Sequence, residues 1–258
     1  GALRRLNARS SHGSGPCHLS IDAAGANVLV ANYSSGSAAV LPIQADGTLG
    51  DATSTVQHHG SSVHPTRQAG PHAHSITLSP DERYACVADL GLDRLMVYRY
   101  DGEAGRISAH EPAWAAAKPG AGPRHFCFLP QRPFAYLINE LDSTISVFAY
   151  DGERGAFSHL QTVSTLPHGY QDDNTCADIH PSPDGRFIYG SNRGHDSIAA
   201  FSVDPESGRL ALVQHQSSGG STPRNFGLTP DGAYLLAANQ DSDSIVAYRR
   251  DPNSGTRS

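Results

Sequence analysis

The stretch "GPRHFCFLP", residues 122–130, places a guanidinium and an imidazole, Arg124 and His125, at the head of an apolar run. A plain β-strand needs neither group. Sixteen positions after Arg124, a second apolar run ends on a carboxylate, Glu140, in "INEL". The same residue types recur along the chain: Arg67, His72 and His74 in "RQAGPHAH", Asp178 and His180 in "ADIH", Arg193 in "SNR" and Arg224 in "TPRN". Arginines offer planar donor forks that match carboxylate or phosphate groups. Histidines and a carboxylate supply groups that move protons near neutral pH. This chemistry suits a small anionic substrate. A GxSxG elbow is absent from the sequence, so a serine triad of the α/β-hydrolase kind is not indicated.

The elements that must position these groups repeat. "NVLVANYSSGSAAVLPI", "YACVADLGLDRLMVYRY", "AYLINELDSTISVFAY", "FIYGSNRGHDSIAAFSV" and "YLLAANQDSDSIVAYRR" align on Asn32, Asp89, Asn139, Asn192 and Asn239, at spacings of 57, 50, 53 and 47 residues. Ahead of each lies a turn, "DAAG", "SPDE", "PQRP", "SPDG" and "TPDG", and ahead of the turn another apolar run. Pro sets φ, and the Gly that follows Asp accepts a left-handed conformation. Alternation such as Ile145 and Val147 around Ser146 reads as strand, and no useful 3.6-residue stripe is present. Four antiparallel strands, A to D, in every unit of roughly 40–50 residues are the pattern of an all-β, β-propeller fold, with about five blades visible here. Residues 3–9, "LRRLNAR", read as an additional outermost strand D, able to complete the last blade or to belong to a larger ring.

In such a blade the start of strand A and the end of strand B share one end, so Arg124, His125 and Glu140 are expected to converge on a mouth of the central channel. The Asn/Asp column recurs in every unit, which points to a structural task at the B–C loop. The next column varies, as Tyr33, Leu90, Glu140, Arg193 and Gln240, and so does the start of strand A, with His18, His74, His125, then Asp178 and His180, and Asn225 behind Arg224. A scaffold requirement would repeat one residue type; varied titratable residues at one level suit an asymmetric ligand. On this reading Arg193 is replaceable at little cost in stability.

Composition narrows the partners. The net charge is −6 and no Lys/Arg run is present, which argues against nucleic acid. No apolar stretch nears the ~20 residues of a membrane span. No signal-peptide pattern is visible, so the expected compartment is cytoplasmic. The cysteines Cys17, Cys86, Cys127 and Cys176 form no CxxC pair, and small buried thiols are expected, with neither disulfide nor zinc.

The segments "RQAGPHAHSITLSPDERY", "GPRHFCFLP", "YLINELDSTISVF", "IHPSPDGRFIYGSNRGHDSIAAF" and "TPRNFGLTPDGAYLLAANQDSDSIVAY" resemble, in order, the lactonase family of bacterial 6-phosphogluconolactonases, which also contains the fungal carboxymuconate cyclase. The resemblance covers nearly the whole chain. It implies a seven-bladed propeller longer than this sequence, so residues 1–258 are expected to form one propeller domain truncated at both ends. It implies catalytic groups at His72 or His74, Arg124, Glu140 and Arg193. Arg67, Gln68, His125, Asp178, His180 and Arg224 are expected to bind substrate. Where the family usually reads "AEIH", this chain has "ADIH", one methylene shorter at Asp178.

The leading expectation is hydrolysis of 6-phosphogluconolactone to 6-phosphogluconate in the pentose phosphate pathway, with no cofactor and no metal. Water activated by Glu140 or a histidine attacks the lactone carbonyl, and an arginine stabilises the oxyanion. A muconate-type lactonising enzyme could use the same arginines for carboxylates. A non-catalytic propeller binding a protein or ligand should show an aromatic rim, whereas these columns are polar. A calcium lactonase would use the Asn/Asp column as oxygen ligands, but four of its five members are neutral amides. Activity should therefore survive exhaustive treatment with a chelator. Loss of turnover restored by Ca²⁺ would establish the calcium alternative instead.

Overall fold

A computed structural model describes residues 3–256. These residues form nineteen strands and no helix. They fall into two compact units, one up to Pro119 and one from Gly120 onward. The first unit holds β1 (Pro16–Ile21), β2 (Asn27–Asn32), β3 (Ser37–Pro42) and β4 (Ser54–Gln57), then β5 (Ala73–Leu78), β6 (Tyr84–Asp89), β7 (Arg94–Asp101) and β8 (Arg106–Ala116). The second holds β9 (Pro123–Phe128), β10 (Phe134–Asn139), β11 (Thr144–Asp151) and β12 (Ala156–Ser164), then β13 (Thr175–Pro181), β14 (Phe187–Arg193), β15 (Ser197–Val203) and β16 (Leu210–Ser217), and last β17 (Pro223–Leu228), β18 (Tyr234–Asn239) and β19 (Ser244–Arg249). Each group is an antiparallel sheet in chain order, four-stranded except for the last, which has three strands. These are the blades that the repeat predicts.

Strands β6 and β10, each second in its blade, are mostly apolar and are covered on both faces. All six residues of β6 and all six of β10 are buried. In the second unit Tyr136, Ile138, Ile145 and Val147 of one blade pack with Ile179, Ile188, Ala199 and Phe201 of the next. A polar rivet adds to this contact. Tyr136 Oη donates to the Gly208 carbonyl at 2.9 Å, and one blade later Tyr189 Oη donates to the Gly255 carbonyl at 3.0 Å. Gly208 has φ +68° and lies flat on the Phe134 ring, where a Cβ would come within 2.4 Å of Cδ1. Only glycine combines that backbone with that approach.

The A–B turns follow the sequence. Gly25, Glu82, Gly185 and Gly232 take positive φ, while "PQRP" moves that residue to Gln131. In the "SPDE" turn, Ser79 Oγ donates to Asp81 Oδ1 at 2.6 Å and accepts the Tyr84 N–H at 3.0 Å.

The Asn/Asp column is structural, with a division of labour that the sequence does not reveal. Asn32, Asn192 and Asn239 donate through Nδ2 to a backbone carbonyl of the segment entering the blade: Ser11, Thr165 and Ser218. Asn139 holds hydroxyls of Thr144 and Ser146. Asp89 differs: its Oδ1 accepts from the N–H groups of His72, Gly91 and Leu92, and its Oδ2 pairs with the buried His58 Nδ1 at 2.5 Å. An amide stands where a carbonyl must be met, and a carboxylate where donors surround it.

Residues 3–9 are not a strand. Leu3 and Leu6 are exposed, so this segment buries no apolar face. Asn7 anchors it through its side chain instead, with Nδ2 on the Leu49 carbonyl at 2.8 Å and Oδ1 accepting the Leu49 N–H at 3.1 Å. Among the described residues no fourth strand pairs with β19.

Asn192→Asp should therefore destabilise the protein at neutral pH by about 1–3 kcal/mol, because a carboxylate would face the Thr165 carbonyl with no hydrogen to share. Denaturant midpoints at pH 7 and pH 4 test this, with a smaller loss expected at the lower pH, where the introduced acid can be protonated and donate.

Candidate active site

The inner strand of every blade begins with the same irregularity. Pro16, Ala73, Pro123, Cys176 and Pro223 pair with the column residues Asn32, Asp89, Asn139, Asn192 and Asn239, and then the register slips. The residue left unpaired is Cys17, His74, Arg124 or Arg224; in β13 Ala177 and Asp178 share the slip opposite Ser191. Such bulges turn a side chain out of the sheet's alternation, and they recur beside functional sites. The sequence reading put His18, His74, His125, Asp178 and Asn225 in one column. The register shows two: Cys17, His74, Arg124, Ala177 and Arg224 in the bulge, then His18, Ser75, His125, Asp178 and Asn225 behind it. Cys17 was missed as a member of the first. The recurring Pro two places before the second column, at Pro16, Pro123 and Pro223, is the signal that separates them.

In the second unit these positions build one hydrogen-bonded chain. Arg124, only 2% exposed, donates through Nε to Glu140 Oε2 at 2.9 Å and through Nη1 to the Ala177 carbonyl at 2.5 Å. Arg193, at the end of β14, places Nη2 3.0 Å from the same Glu140 Oε2 and donates to the Cys176 carbonyl at 2.8 Å. Its Nε is buried without a hydrogen-bond partner among the described residues. Burial, with the neighbouring Arg193 charge, pushes the Arg124 guanidinium down to about 10, still charged at neutral pH. Glu140 is fixed through its backbone as well, with its N–H on the Gly122 carbonyl and its own carbonyl accepting from Cys176.

Arg193 is thus not replaceable at little cost in stability, contrary to what the varying column suggested. Removing it breaks a largely buried ion pair and a hydrogen bond, so a stability cost accompanies any substitution.

His125 extends the chain. Its Nε2 lies 3.3 Å from Arg124 Nη1, which can only donate, so Nε2 accepts and Nδ1 carries the hydrogen. That hydrogen goes to Asp178 Oδ1 at 2.7 Å. Burial pushes the His125 imidazolium down, consistent with a neutral ring. Asp178 also accepts from His180 Nε2 at 3.1 Å, Asn225 Nδ2 at 2.7 Å and the Ile179 N–H at 3.0 Å. Burial opposes its ionisation, but the hydrogen bonds from His125 and His180 outweigh it and hold the carboxyl well below its ordinary range. The short "ADIH" carboxylate is fully engaged, so Asp178 orients its neighbours. Arg224 is exposed, beside Asn225. A cavity of about 550 Å³ opens next to Arg193, lined also by Asp173, Asn174, Thr175, Gly194 and Thr222.

The first unit groups its own candidates. Tyr33 stacks on His72, with centroids 4.5 Å apart, and meets His74 edge-on at 5.1 Å. His72 Nδ1 lies 3.1 Å from the Tyr33 carbonyl, an obligate acceptor, so Nδ1 carries the hydrogen and Nε2 keeps the lone pair. His74 is buried, and its Nδ1 lies 3.9 Å from Cys17 Sγ. Arg67 Nη2 reaches Tyr33 Oη at 3.5 Å. Gln68 is fully buried, with Nε2 on the Leu90 carbonyl at 2.8 Å and Oε1 accepting the His64 N–H at 3.0 Å. It supports the loop that carries Arg67 and presents nothing to a substrate. Cys86 and Cys176 are buried, as expected, and Cys17 is not. Among the described residues no three His, Cys, Asp or Glu side chains gather to hold a metal ion, and no helix is long and apolar enough to cross a membrane.

The family described as "Lactonase, 7-bladed beta-propeller" matches residues 1–257. The chain belongs to this lactonase family. A 6-phosphogluconolactonase of Bacillus subtilis is 40% identical over 227 residues, 88% of this chain and 63% of that protein. A 6-phosphogluconolactonase of Pectobacterium carotovorum is 35% identical, over 88% of this chain and 64% of its own length. The chain thus spans a little under two thirds of these relatives. Among solved structures, a Bacteroides fragilis protein superposes with TM-score 0.93 at 37% identity, covering 100% of this chain and 72% of that one. The periplasmic gluconolactonase of Pseudomonas aeruginosa superposes with TM-score 0.90 at 42% identity, covering 96% and 70%.

Both His125 and Asp178 titrate below their unfolded values, so each contributes stability that is present above its unfolded pKa and lost as pH falls through its folded one. Stability should fall first below roughly pH 6.5, through His125, and again below roughly pH 4, through Asp178. Asp178→Asn should lower stability at neutral pH and flatten the second decline, as read from denaturation midpoints between pH 7 and pH 3. An unchanged acid limb would show that Asp178 is not held ionised.

Proposed function

We propose that the protein containing this chain hydrolyses 6-phospho-D-glucono-1,5-lactone to 6-phosphogluconate, in the cytoplasm and as part of the pentose phosphate pathway. The observation that carries this reading is the buried Arg124–Glu140–Arg193 cluster, whose Arg193 lines the cavity. The names of the family's relatives give the reaction class. The neighbour described as periplasmic is the reason to test the unphosphorylated lactone as well.

In the reaction a water oxygen adds to the lactone carbonyl and the carbonyl oxygen becomes an oxyanion. The ring C–O bond then breaks, the ring oxygen takes a proton, and a carboxylate remains. Arg193 supplies donors to the oxyanion, a contribution that is often the largest in acyl chemistry. Glu140 holds both guanidinium groups through Oε2 and acts on the reaction through them. Arg124 fixes Glu140 and His125. Of the two histidines in "PHAH", His72 is the one suited to accept a proton: its Nδ1–H is fixed on a carbonyl, whereas His74 is buried against Cys17.

Hydrolysis is followed with phosphorylated and unphosphorylated gluconolactone, above the spontaneous rate. Arg193→Ala should lower kcat/KM by roughly 10²-fold or more, about 2.7 kcal/mol of transition-state binding. It should also cost stability, by about 1–3 kcal/mol, since a largely buried pair is broken. Arg193→Lys should recover only part of the activity, because a point charge replaces a fork. A folded Arg193→Ala protein with full kcat/KM would remove Arg193 from the mechanism.

A further inference from the structure

The charges of the second unit's cluster balance. Arg124 and Arg193 share the Glu140 carboxylate, Asp178 is ionised, and the partners of His125 fix that ring as neutral. Two buried cations therefore face two buried anions, and Arg124 Nε and Nη1 are already engaged by Glu140, Ala177 and His125. The cavity beside Arg193 adds an acid, Asp173, to its lining. Such surroundings accept neutral hydroxyl groups and repel a phosphate dianion. A sugar phosphate needs a cation that the cluster has not already neutralised.

The bulge column supplies one. Arg224 is the residue left unpaired between Pro223 and Asn225 in β17. Its neighbour Asn225 is fastened to the cluster, with Nδ2 on Asp178 Oδ2 at 2.7 Å, and the Phe226 N–H points to the same oxygen at 3.4 Å. The backbone of Arg224 is thus fixed at the edge of the cluster while its side chain stands in solvent. Among the described residues it has no carboxylate or hydrogen-bond partner. Its charge is close enough to Arg124 to contribute to lowering that guanidinium's pKa. Thr222, two residues earlier, lines the cavity.

We infer that Arg224 is the specificity-determining residue, the cation that selects a substrate bearing a phosphate over the same lactone without one. This rests on the lactonase reading for its substrate, and on the charge balance and the bulge for its residue. A guanidinium fork on a phosphate is a charge-assisted, two-bond contact, strong enough to discriminate at least tenfold even when partly exposed.

The test uses the full-length protein and its Arg224→Ala and Arg224→Lys variants. Two readouts are taken: the ratio of kcat/KM for 6-phosphogluconolactone to that for gluconolactone, and calorimetric binding of 6-phosphogluconate compared with gluconate. Arg224→Ala should reduce both ratios by tenfold or more, chiefly through KM, and Arg224→Lys should restore part of each. The wild-type ratios should also fall as salt is raised, since the contact is exposed. Ratios that stay the same in Arg224→Ala, whether the two substrates fall together or neither falls, would overturn the inference while leaving the lactonase reading standing. A wild-type protein that hydrolyses neither lactone, yet binds 6-phosphogluconate over gluconate through Arg224, would overturn the lactonase reading and keep the inference.

Discussion

One carboxylate oxygen, Glu140 Oε2, is paired with two guanidinium groups: it accepts from Arg124 Nε at 2.9 Å and lies 3.0 Å from Arg193 Nη2. Burying two cations beside each other is costly unless an anion compensates them, and a buried anion is costly unless donors surround it. The arrangement satisfies both conditions, and it joins two blades in doing so, because Glu140 follows β10 and Arg193 ends β14. Each arginine also donates to a backbone carbonyl of β13, Ala177 and Cys176, next to the slip in that strand. The cluster therefore depends on the bulge, and the bulge on the blade.

The repeated blade separates scaffold from chemistry in a simple way. The column at the end of strand B keeps a short amide or acid, because each blade must meet an incoming carbonyl, a pair of hydroxyls or a ring of N–H donors. The bulge that faces it carries whatever the position needs: a thiol at Cys17, an imidazole at His74, guanidinium groups at Arg124 and Arg224. Varying these costs the sheet little, since the bulged residue makes no ladder hydrogen bond. A propeller of this design can change its substrate without changing its blades.

Much of this was legible in the sequence. Strand runs, turns and the Asn/Asp column follow from local rules, because the alternation of apolar residues and the left-handed tolerance of Gly, Asp and Ser act within a few residues. The convergence of Arg124, His125 and Glu140 followed from strand direction alone. The register slip did not, and without it Cys17 and His18 could not be assigned to different columns. Nor could the commitments of the buried groups be read: Gln68 and Asp178 look like substrate ligands until their partners are known, and Arg193 looks replaceable at little cost in stability. Residues 3–9 misled for the opposite reason, since their apolar pattern has no face to bury against and a side-chain amide takes over the pairing.

The most direct test of this account is a double-mutant cycle between Glu140 and Arg193, with kcat/KM and melting temperature measured for Glu140→Gln, Arg193→Ala and the double variant. If Glu140 acts through the arginine it holds, the losses are strongly non-additive, and the double variant is hardly less active than Arg193→Ala alone. Additive losses in folded proteins would contradict the account, because they would mean that Glu140 reaches the substrate by itself.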